Sequence, residues 1–168
     1  SVGAFFEYTY DNLSNFSFVA GIRADSHNNL GNFITPRFHL RYNPWKEATF
    51  RLSAGRGKRA ANVIAENQQL LASSRQLHII GGDGGKLYGL NPEIAWNYGA
   101  SFLQAFKIWG KNAELSVDLY RTHFDNQVVV DLDHSPQQAL FYNLNGKSFA
   151  NSLQAEVSIT PVKGLDFK

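Results

Sequence analysis

Apolar and polar residues alternate along most of this chain. In the segment TPRFHLRYNPWKEATFRLSAGRGKR (35–59), Phe38 and Leu40 alternate with Arg37, His39 and Arg41, and the alternation resumes after NPWKEA. A two-residue period places successive side chains on opposite faces of a β-strand. The segment therefore predicts a hairpin with one apolar face and one basic face.

The same alternation predicts seven strands, and an eighth begins near residue 165. The predicted strands cover residues 2–10, 16–27, 34–43, 49–58, 93–108, 113–124 and 141–160. Helical spacing of apolar residues occurs only within ANVIAENQQLLASSRQL, which predicts a short helix there. We expect an all-β fold, an antiparallel meander of about seven to eight strands.

Two kinds of connection alternate along the predicted meander. Tight turns rich in Asn, Pro and Gly are expected at 11–15, 43–47, 109–112 and 161–164. The connection at 27–33 is moderate, and those at 59–92 and 125–140 are long. In a meander, all the tight turns lie at one end of the sheet and the longer connections at the other.

The strand lengths and the aromatic residues favour a membrane β-barrel. Several strands reach the roughly 9–11 residues that cross a bilayer at a tilt. Aromatic residues cluster beside the tight turns, as in the interfacial girdles of such barrels. They are Tyr8, Tyr10, Phe16, Phe18, Tyr42, Trp45, Phe106 and Trp109. Short periplasmic turns and long extracellular loops complete the pattern.

The composition argues against several other classes of protein. The chain has 168 residues, of which 43% are hydrophobic and 14% aromatic, and it has no cysteine, which excludes disulfides and thiolate metal sites. A net charge of +2 gives no support for a nucleic-acid partner. The five histidines lack ligand spacing and no Ser-His-Asp arrangement is evident, so we expect no metal, no cofactor and no enzymatic activity. Both ends fall inside strand patterns, so we expect a piece of a longer barrel.

The order of the motifs resembles the TonB-dependent outer-membrane receptors of Gram-negative bacteria. The matching pieces are GIRADSHNNLG, TPRFHLRYNP, FRLSAGRGKR, LNPEIAWNYGASF, AELSVDLYRTHFDNQVV and FYNLNGKSFANSLQAEVSITPVKGL, which together span most of the chain. The resemblance implies a barrel of about 22 strands in outer-membrane lipid, filled by a plug domain. It also implies energy supplied through TonB and import of a scarce nutrient such as an iron chelate, haem or vitamin B12.

Four arginines, Arg23, Arg37, Arg41 and Arg51, are expected to face the barrel lumen and to contact the plug domain. The alternatives are contact with an anionic ligand, pairing with acidic residues of the wall such as Glu114, Asp118 or Glu156, and simple hydration. Plug contact and hydration are favoured over ligand contact, because a ligand is expected nearer the long connections. By the resemblance, Glu93 and Glu156 are candidates to meet arginines of the plug.

The end of the predicted sheet that carries the long connections, which we call the rim, contains candidate residues for ligand contact. These are Arg56, Lys58, Arg59, Glu66, Arg75 and His78, although solvated loop charges are the simpler interpretation of each. We expect Arg59 and Glu66 to be structural and to pair, which would fold the loop down.

Two other architectures fit parts of the pattern. A soluble β-sandwich that binds carbohydrate through exposed aromatic residues would pack its two apolar faces against each other. A complete eight-stranded barrel with a structural or adhesive role is the weaker alternative, because the 59–92 connection and the truncated strands at both ends argue against it.

Overall fold

A computed structural model describes residues 1–81, 86–162 and 165–167, with the backbone alone described for residues 161, 162, 165 and 166. Eight strands form the main sheet: β1 (Val2–Asp11), β2 (Phe16–His27), β3 (Gly31–Tyr42), β4 (Ala48–Arg59), β6 (Glu93–Ile108), β7 (Lys111–Asn126), β10 (Ser148–Val162) and β11 (Leu165–Phe167). A second sheet contains β5 (Gln76–Ile79), β8 (Val128–Asp131) and β9 (Gln138–Asn143), and a 3₁₀ helix covers Ala65–Ala72. Within the described ranges, no helix is long and apolar enough to cross a membrane.

The main sheet is an antiparallel meander in the order β1-β2-β3-β4-β6-β7-β10-β11. Each strand therefore pairs with the strands that precede and follow it along the main sheet. The bounds predicted for β2 and β6 coincide with the observed ones. Strand β1 ends one residue later than predicted, and β4 and β7 extend one and two residues further at each end. The predicted all-β meander is confirmed.

Side chains on the two faces of the sheet differ sharply in polarity. On one face a continuous row runs across seven strands; its members are Tyr10, Phe18, Leu40, Leu52, Ala100, Leu119 and Leu153. One position further along, on the other face, the row consists of Asp11, Ser17, Arg41, Arg51, Ser101, Asp118 and Gln154. We call these the apolar face and the polar face.

The apolar face has no second layer against it in the described chain. Phe6 is 66% exposed and Leu153 69% exposed, although both lie on this face. A β-sandwich would cover such side chains with a facing sheet. The main sheet is instead open, with no sheet against its apolar face among the described residues, which differs from the carbohydrate-binding sandwich.

Aromatic rings on the apolar face gather near the tight turns at 12–15 and 43–47. Tyr10 lies 5.7 Å from Phe18 between ring centroids, and Phe50 lies 4.6 Å from Phe102. Trp45, in the second of these turns, lies 6.5 Å from Phe102. Tyr and Trp combine an apolar ring with a polar group, which suits a boundary between apolar and aqueous surroundings. These clusters lie where the interfacial girdle was predicted.

The core of the molecule lies outside the main sheet. Residues 60–81, 86–92 and 127–147, from the two long connections, form a compact unit, which we call the cap. Its buried residues are Val63, Leu70, Leu90, Ala139 and Phe141, with Leu77, Val128 and Val130 packed against them. Strand β5 pairs in parallel with β9, and β9 pairs antiparallel with β8. The two long connections therefore fold together.

Several predicted boundaries are wrong. The strand predicted for 141–160 is two separate strands, because Phe141 belongs to β9 of the cap and β10 begins at Ser148. Asn145 and Gly146 lie between them, and this dipeptide favours a turn. The connections predicted at 59–92 and 125–140 contain β5, β8 and part of β9, and the predicted helix appears there in the 3₁₀ form.

The connection between β2 and β3 is shorter than predicted. Strand β3 begins at Gly31, so a turn of only residues 28–30 replaces the moderate loop predicted for 27–33. Gly31 has φ of 69°, a left-handed backbone conformation that glycine adopts without steric cost. The turn predicted at 161–164 includes residues 163 and 164, which lie outside the described residues.

Candidate functional site

Two arginines stand side by side in the middle of the polar face. Arg41 on β3 lies directly opposite Arg51 on β4, and the next residues of this row are Ser17 and Ser101. Arg41 donates a hydrogen bond to Asn43 Oδ1 at 3.4 Å. No salt bridge of the described chain involves either arginine, and both side chains are exposed. Like charges at directly opposite positions repel, so this pair creates a local excess of positive charge.

The other two predicted lumen arginines have carboxylate partners. Arg23 binds Asp25 on its own strand with Nε at 2.8 Å from Oδ2, and Arg37 on β3 forms an ion pair with Glu7 on β1. Their charges are therefore balanced locally, while those of Arg41 and Arg51 are not. The four arginines predicted as one array form two chemically different pairs.

The acidic residues considered as wall partners are placed differently. Asp118 shares the row of Arg41 and Arg51 but lies two strands from Arg51, and Glu114 lies farther toward the 109–110 turn. Neither forms a salt bridge within the described ranges. Glu156 lies opposite Ser116 on the polar face.

A shallow groove of about 390 Å³ follows the row of Arg41 and Arg51. It is lined on the polar face by Ser17, His39, Arg41, Arg51, Ser53, Ser101, Asp118 and Tyr120, together with neighbouring residues of the same strands. Hydroxyl groups, an imidazole and two guanidinium groups can together bind an acidic or phosphate-like group by charge-assisted hydrogen bonds. The groove is the main candidate site on the sheet.

Glycines on the polar face make room for long side chains from the next strand. A Cβ on Gly21 would lie 2.9 Å from Arg37 Nε, and a Cβ on Gly99 would lie 2.9 Å from Tyr120 Cε1. Arg37 and Tyr120 therefore lie flat over these glycines. Glu7 was not predicted as the partner of Arg37, although the alternation of β1 places Glu7 on the same face.

The predicted pair of Arg59 and Glu66 is present at the rim, and a third residue joins it. Arg59 Nη2 lies 3.2 Å from Glu66 Oε2, and Arg59 Nε lies 2.6 Å from Glu93 Oε2. Glu93 is 5% exposed and its other oxygen accepts a hydrogen bond from the Val128 backbone N–H at 3.0 Å. The Arg59–Glu66–Glu93 cluster thus ties both long connections to the sheet.

Glu93 was expected to meet arginines of the plug, and in the described chain its carboxylate has partners of its own. A carboxylate that is buried and bonded to Arg59 and Val128 already has partners for both oxygens. The carboxylate of Glu93 therefore holds the cap to the sheet.

Arg75 is also structural in the described chain. Its Nη1 donates hydrogen bonds to the backbone oxygens of Leu132, Ser135 and Gln138 at 2.8, 3.3 and 3.2 Å. One guanidinium thus holds the turn between β8 and β9 against the start of β5. Arg75 was predicted as a rim residue for ligand contact, and its observed contacts are with the cap.

The remaining rim residues have separate surroundings. Lys58 donates a hydrogen bond to the Leu30 backbone oxygen at 2.7 Å and lies 5.3 Å from the centroid of Phe33. His78 is exposed on β5, opposite Leu140. Arg56 pairs with Trp96 in the register, which places it on the apolar face of the sheet. The six rim residues do not converge on one site.

No group of three or more His, Asp or Glu side chains suited to a metal ion occurs in the described part of the chain.

The long strands, the open apolar face and the polar face with its arginine groove define a class of structure. They are the features of a segment from the wall of a transmembrane β-barrel, where one face meets lipid and the other an aqueous lumen.

Comparison with known proteins gives the family. The family model described as TonB dependent receptor-like, beta-barrel matches residues 1–165. The chain belongs to this family. Members of the family are outer-membrane proteins of Gram-negative bacteria.

Solved receptors share the fold at low sequence identity. The ferric enterobactin receptor PfeA of Pseudomonas aeruginosa, in complex with enterobactin, aligns with a TM-score of 0.65 and 17% identity, covering 98% of this chain and 25% of the receptor. The siderophore receptor PirA of the same organism has a TM-score of 0.65 and 16% identity, over 98% of this chain and 32% of that receptor. A double mutant of the Serratia marcescens hemophore receptor HasR, in complex with its hemophore HasA and heme, has a TM-score of 0.63 and 13% identity. The alignment covers 94% of this chain and 31% of that receptor.

The chain thus spans a quarter to a third of the length of these neighbours. At such identities the likeness concerns the fold alone. A comparison with the curated proteins finds no match.

Proposed function

We propose that this chain forms part of the outer-membrane barrel of a TonB-dependent receptor that imports a scarce nutrient. The observation that carries the proposal is the single sheet with one uncovered apolar face. Burying exposed residues such as Phe6, Leu119 and Leu153 in hydrocarbon would remove their apolar surface from water. Lipid is the partner that covers such a face without any further protein layer.

The nutrient would be an iron chelate, haem, vitamin B12 or a similar scarce compound, and an iron chelate or haem is favoured among these. Support comes from the similar solved structures, whose names describe receptors for ferric enterobactin, a siderophore and a hemophore. Uptake would be driven through TonB, which acts on a plug domain inside the barrel. The nutrient contacts would come from the rim and from that plug domain.

The groove around Arg41 and Arg51 would contact acidic groups of the plug domain. Two neighbouring guanidinium groups without a carboxylate partner in the described chain favour an anionic surface against them. Arg23 and Arg37, already paired with Asp25 and Glu7, would contribute less to this contact. Glu156, on the same polar face, is proposed to face the plug as well.

Single-cysteine labelling tests the assignment of the two faces. The chain has no natural cysteine, so each introduced thiol is the only one it contributes. In the membrane-embedded receptor, we expect Leu52→Cys and Leu119→Cys to react with a lipid-soluble maleimide and to resist a charged one. Ser53→Cys and Ser101→Cys should show the opposite preference once the plug domain is removed. Equal reactivity of both sets with the charged reagent would contradict a lipid-facing sheet.

Uptake of a nutrient is tested separately by growth on defined iron sources. A strain that lacks its other iron receptors and expresses the complete receptor should grow on one ferric chelate or on haem. Growth should require TonB. If no iron source, haem compound or corrinoid supports TonB-dependent growth, the proposed import function is wrong even if the sheet faces lipid.

A further inference from the structure

Four basic side chains lie on the apolar face, toward the end of the sheet that carries the cap. Lys58, opposite Ile94, is bonded to the Leu30 backbone oxygen, and the other three are Arg56, Arg121 and His123. Arg56 on β4 lies opposite Trp96 on β6, and Trp96 lies opposite His123 on β7. Arg121 precedes His123 by two residues on β7, so it lies on the same face, opposite Tyr98. Together with Phe149, which lies opposite His123, these residues form what we call the outer basic patch.

The two arginines of the outer basic patch have no carboxylate partner. No salt bridge among the described residues involves Arg56 or Arg121, and the Arg121 guanidinium lies 4.8 Å from the centroid of Phe149. The nearby carboxylate is that of Asp125, whose Oδ1 lies 3.7 Å from His123 Nε2. Two guanidinium charges therefore have no carboxylate partner within the described ranges, on a face that is mainly apolar farther from the cap.

Charge on a lipid-facing surface is tolerated only near the interface. A lipid-exposed arginine is strongly destabilising at the bilayer midplane, and this cost falls nearly to zero close to the headgroups. Trp96 and Tyr98, stacked with ring planes 8° apart, are residue types that anchor a barrel at the headgroup level. The patch thus has the composition of an interfacial zone rather than of a hydrocarbon zone.

The spacing of the arginines suits a phosphate-bearing headgroup. Arg121 lies two inter-strand spacings across the sheet from Arg56 and two residues along the strand direction. The backbones of the two residues are therefore about 12 Å apart. Their side chains can approach one phosphate group from two sides, or bind two phosphates of one headgroup. Guanidinium groups bind phosphate by paired, charge-assisted hydrogen bonds.

We propose that the outer basic patch binds the phosphate groups of an anionic lipid in the outer leaflet. This inference rests on the proposed function, because it requires the apolar face to meet lipid and the cap to lie on the outer side. Arg56 and Arg121 make the phosphate contacts, and the aromatic residues hold the patch at headgroup depth.

The test measures lipid binding to the complete receptor in nanodiscs of phosphatidylcholine doped with a diphosphorylated glycolipid. Native mass spectrometry counts the bound glycolipid for the unmodified receptor and for the R56Q/R121Q double variant. A K107Q/K111Q variant is the control, because it also removes two positive charges, one from each face, at the opposite end of the sheet. The dephosphorylated glycolipid and inorganic phosphate alone are the further arms.

We expect R56Q/R121Q to weaken binding of the phosphorylated glycolipid by roughly 30-fold, since each basic residue near an anionic surface contributes about 1 kcal/mol. K107Q/K111Q should bind as the unmodified receptor does, and R56K/R121K should retain most of the affinity. Unchanged binding by R56Q/R121Q, equal binding of the dephosphorylated lipid, or equal binding of inorganic phosphate would each overturn the proposal. Labelling of Leu52→Cys and Leu119→Cys in the same nanodiscs shows separately whether the apolar face meets lipid at all.

Discussion

The side chain of Arg37 extends across Gly21 and forms an ion pair with Glu7 on the strand beyond. Glu7, Gly21 and Arg37 occupy one row of the polar face, with glycine in the middle. A Cβ at Gly21 would lie 2.9 Å from Arg37 Nε and 3.0 Å from its Cγ. The absence of a side chain on β2 thus allows β1 and β3 to interact directly.

This relationship predicts an energetic coupling that depends on Gly21. A double-mutant cycle of Glu7→Gln and Arg37→Gln should give a coupling free energy of about 0.2–1 kcal/mol between the two side chains. The value is small because Glu7 is 36% and Arg37 57% exposed, so that solvent screens the pair. In a Gly21→Val background the coupling should fall close to zero. Thermal unfolding of the receptor measures each corner of the cycle.

Gly57 provides the matched background for this cycle. It lies on the same face, and a Cβ there would meet nothing within 4 Å, so Gly57→Val should leave the coupling intact. A coupling that survives in Gly21→Val would show that Arg37 reaches Glu7 by another path.

Glu93 and Glu66 should differ strongly in their effect on the cap. Glu93 is 5% exposed and holds both Arg59 and the Val128 amide, so Glu93→Ala leaves a buried donor without a partner. We expect a loss of about 2–4 kcal/mol in the stability of the cap. Glu66→Ala, whose carboxylate is 41% exposed, should cost less than about 1 kcal/mol. Hydrogen exchange of residues 60–81 measures both, and equal effects would contradict the structural role of Glu93.

Phe141 should stabilise the cap, and Phe149 should not. Phe141 is fully buried among Val63, Leu70 and Leu90, so Phe141→Ala should cost about 3–5 kcal/mol of cap stability. Phe149 belongs to β10 and is 60% exposed, so the same truncation there should cost far less. Faster hydrogen exchange should appear in β5, β8 and β9 for Phe141→Ala alone. Faster exchange along β10 instead would place Phe141 in the main sheet, as alternation had suggested.

Arg75 should control the order of one turn. Because one guanidinium nitrogen binds three backbone oxygens, Arg75→Ala should leave those oxygens exposed to water and loosen residues 132–138. The expected cost is about 1–3 kcal/mol, with partial rescue by Arg75→Lys. His78→Ala, an exposed neighbour on β5, is the control. Protease cleavage within 132–138 reports the result, and unchanged cleavage in Arg75→Ala would argue against the clamp.

The main sheet was predictable because each strand is long and its two faces differ in polarity. Alternation in 35–59 placed Arg41 and Arg51 on one face and Leu40 and Leu52 on the other, as the register shows. The pairing of Arg59 with Glu66 was predicted too. In such segments the two-residue period alone determines which face a side chain occupies.

The cap was not predictable in the same way. Its strands have four to six residues, and β5 pairs with β9 although about sixty residues separate them. Such pairings depend on packing around Phe141 and on the contacts of Arg75, which no local pattern contains. The dipeptide Asn145-Gly146 favours a turn. The alternation on both sides of it nevertheless predicted one continuous strand from Phe141 into β10.

Arg51→Gln should change stability in opposite directions with and without the plug domain. In a barrel from which the plug has been removed, Arg41 and Arg51 face each other across β3 and β4 with no carboxylate partner in the described chain. Removing one charge should then stabilise the barrel by about 0.2–1 kcal/mol. In the complete receptor the same change removes a proposed contact with an acidic surface and should destabilise it. Thermal unfolding of the receptor with and without the plug domain measures the sign of the stability change in each form.

Glu7→Gln is the control for this pair of measurements. It changes a charge on the same face but lies outside the Arg41–Arg51 row, so its effect should be similar in the two forms. If Arg51→Gln stabilises both forms equally, the two arginines repel each other without meeting an acidic plug surface. They would then be hydrated residues of the wall, and only the opposite signs support a plug contact at Arg51.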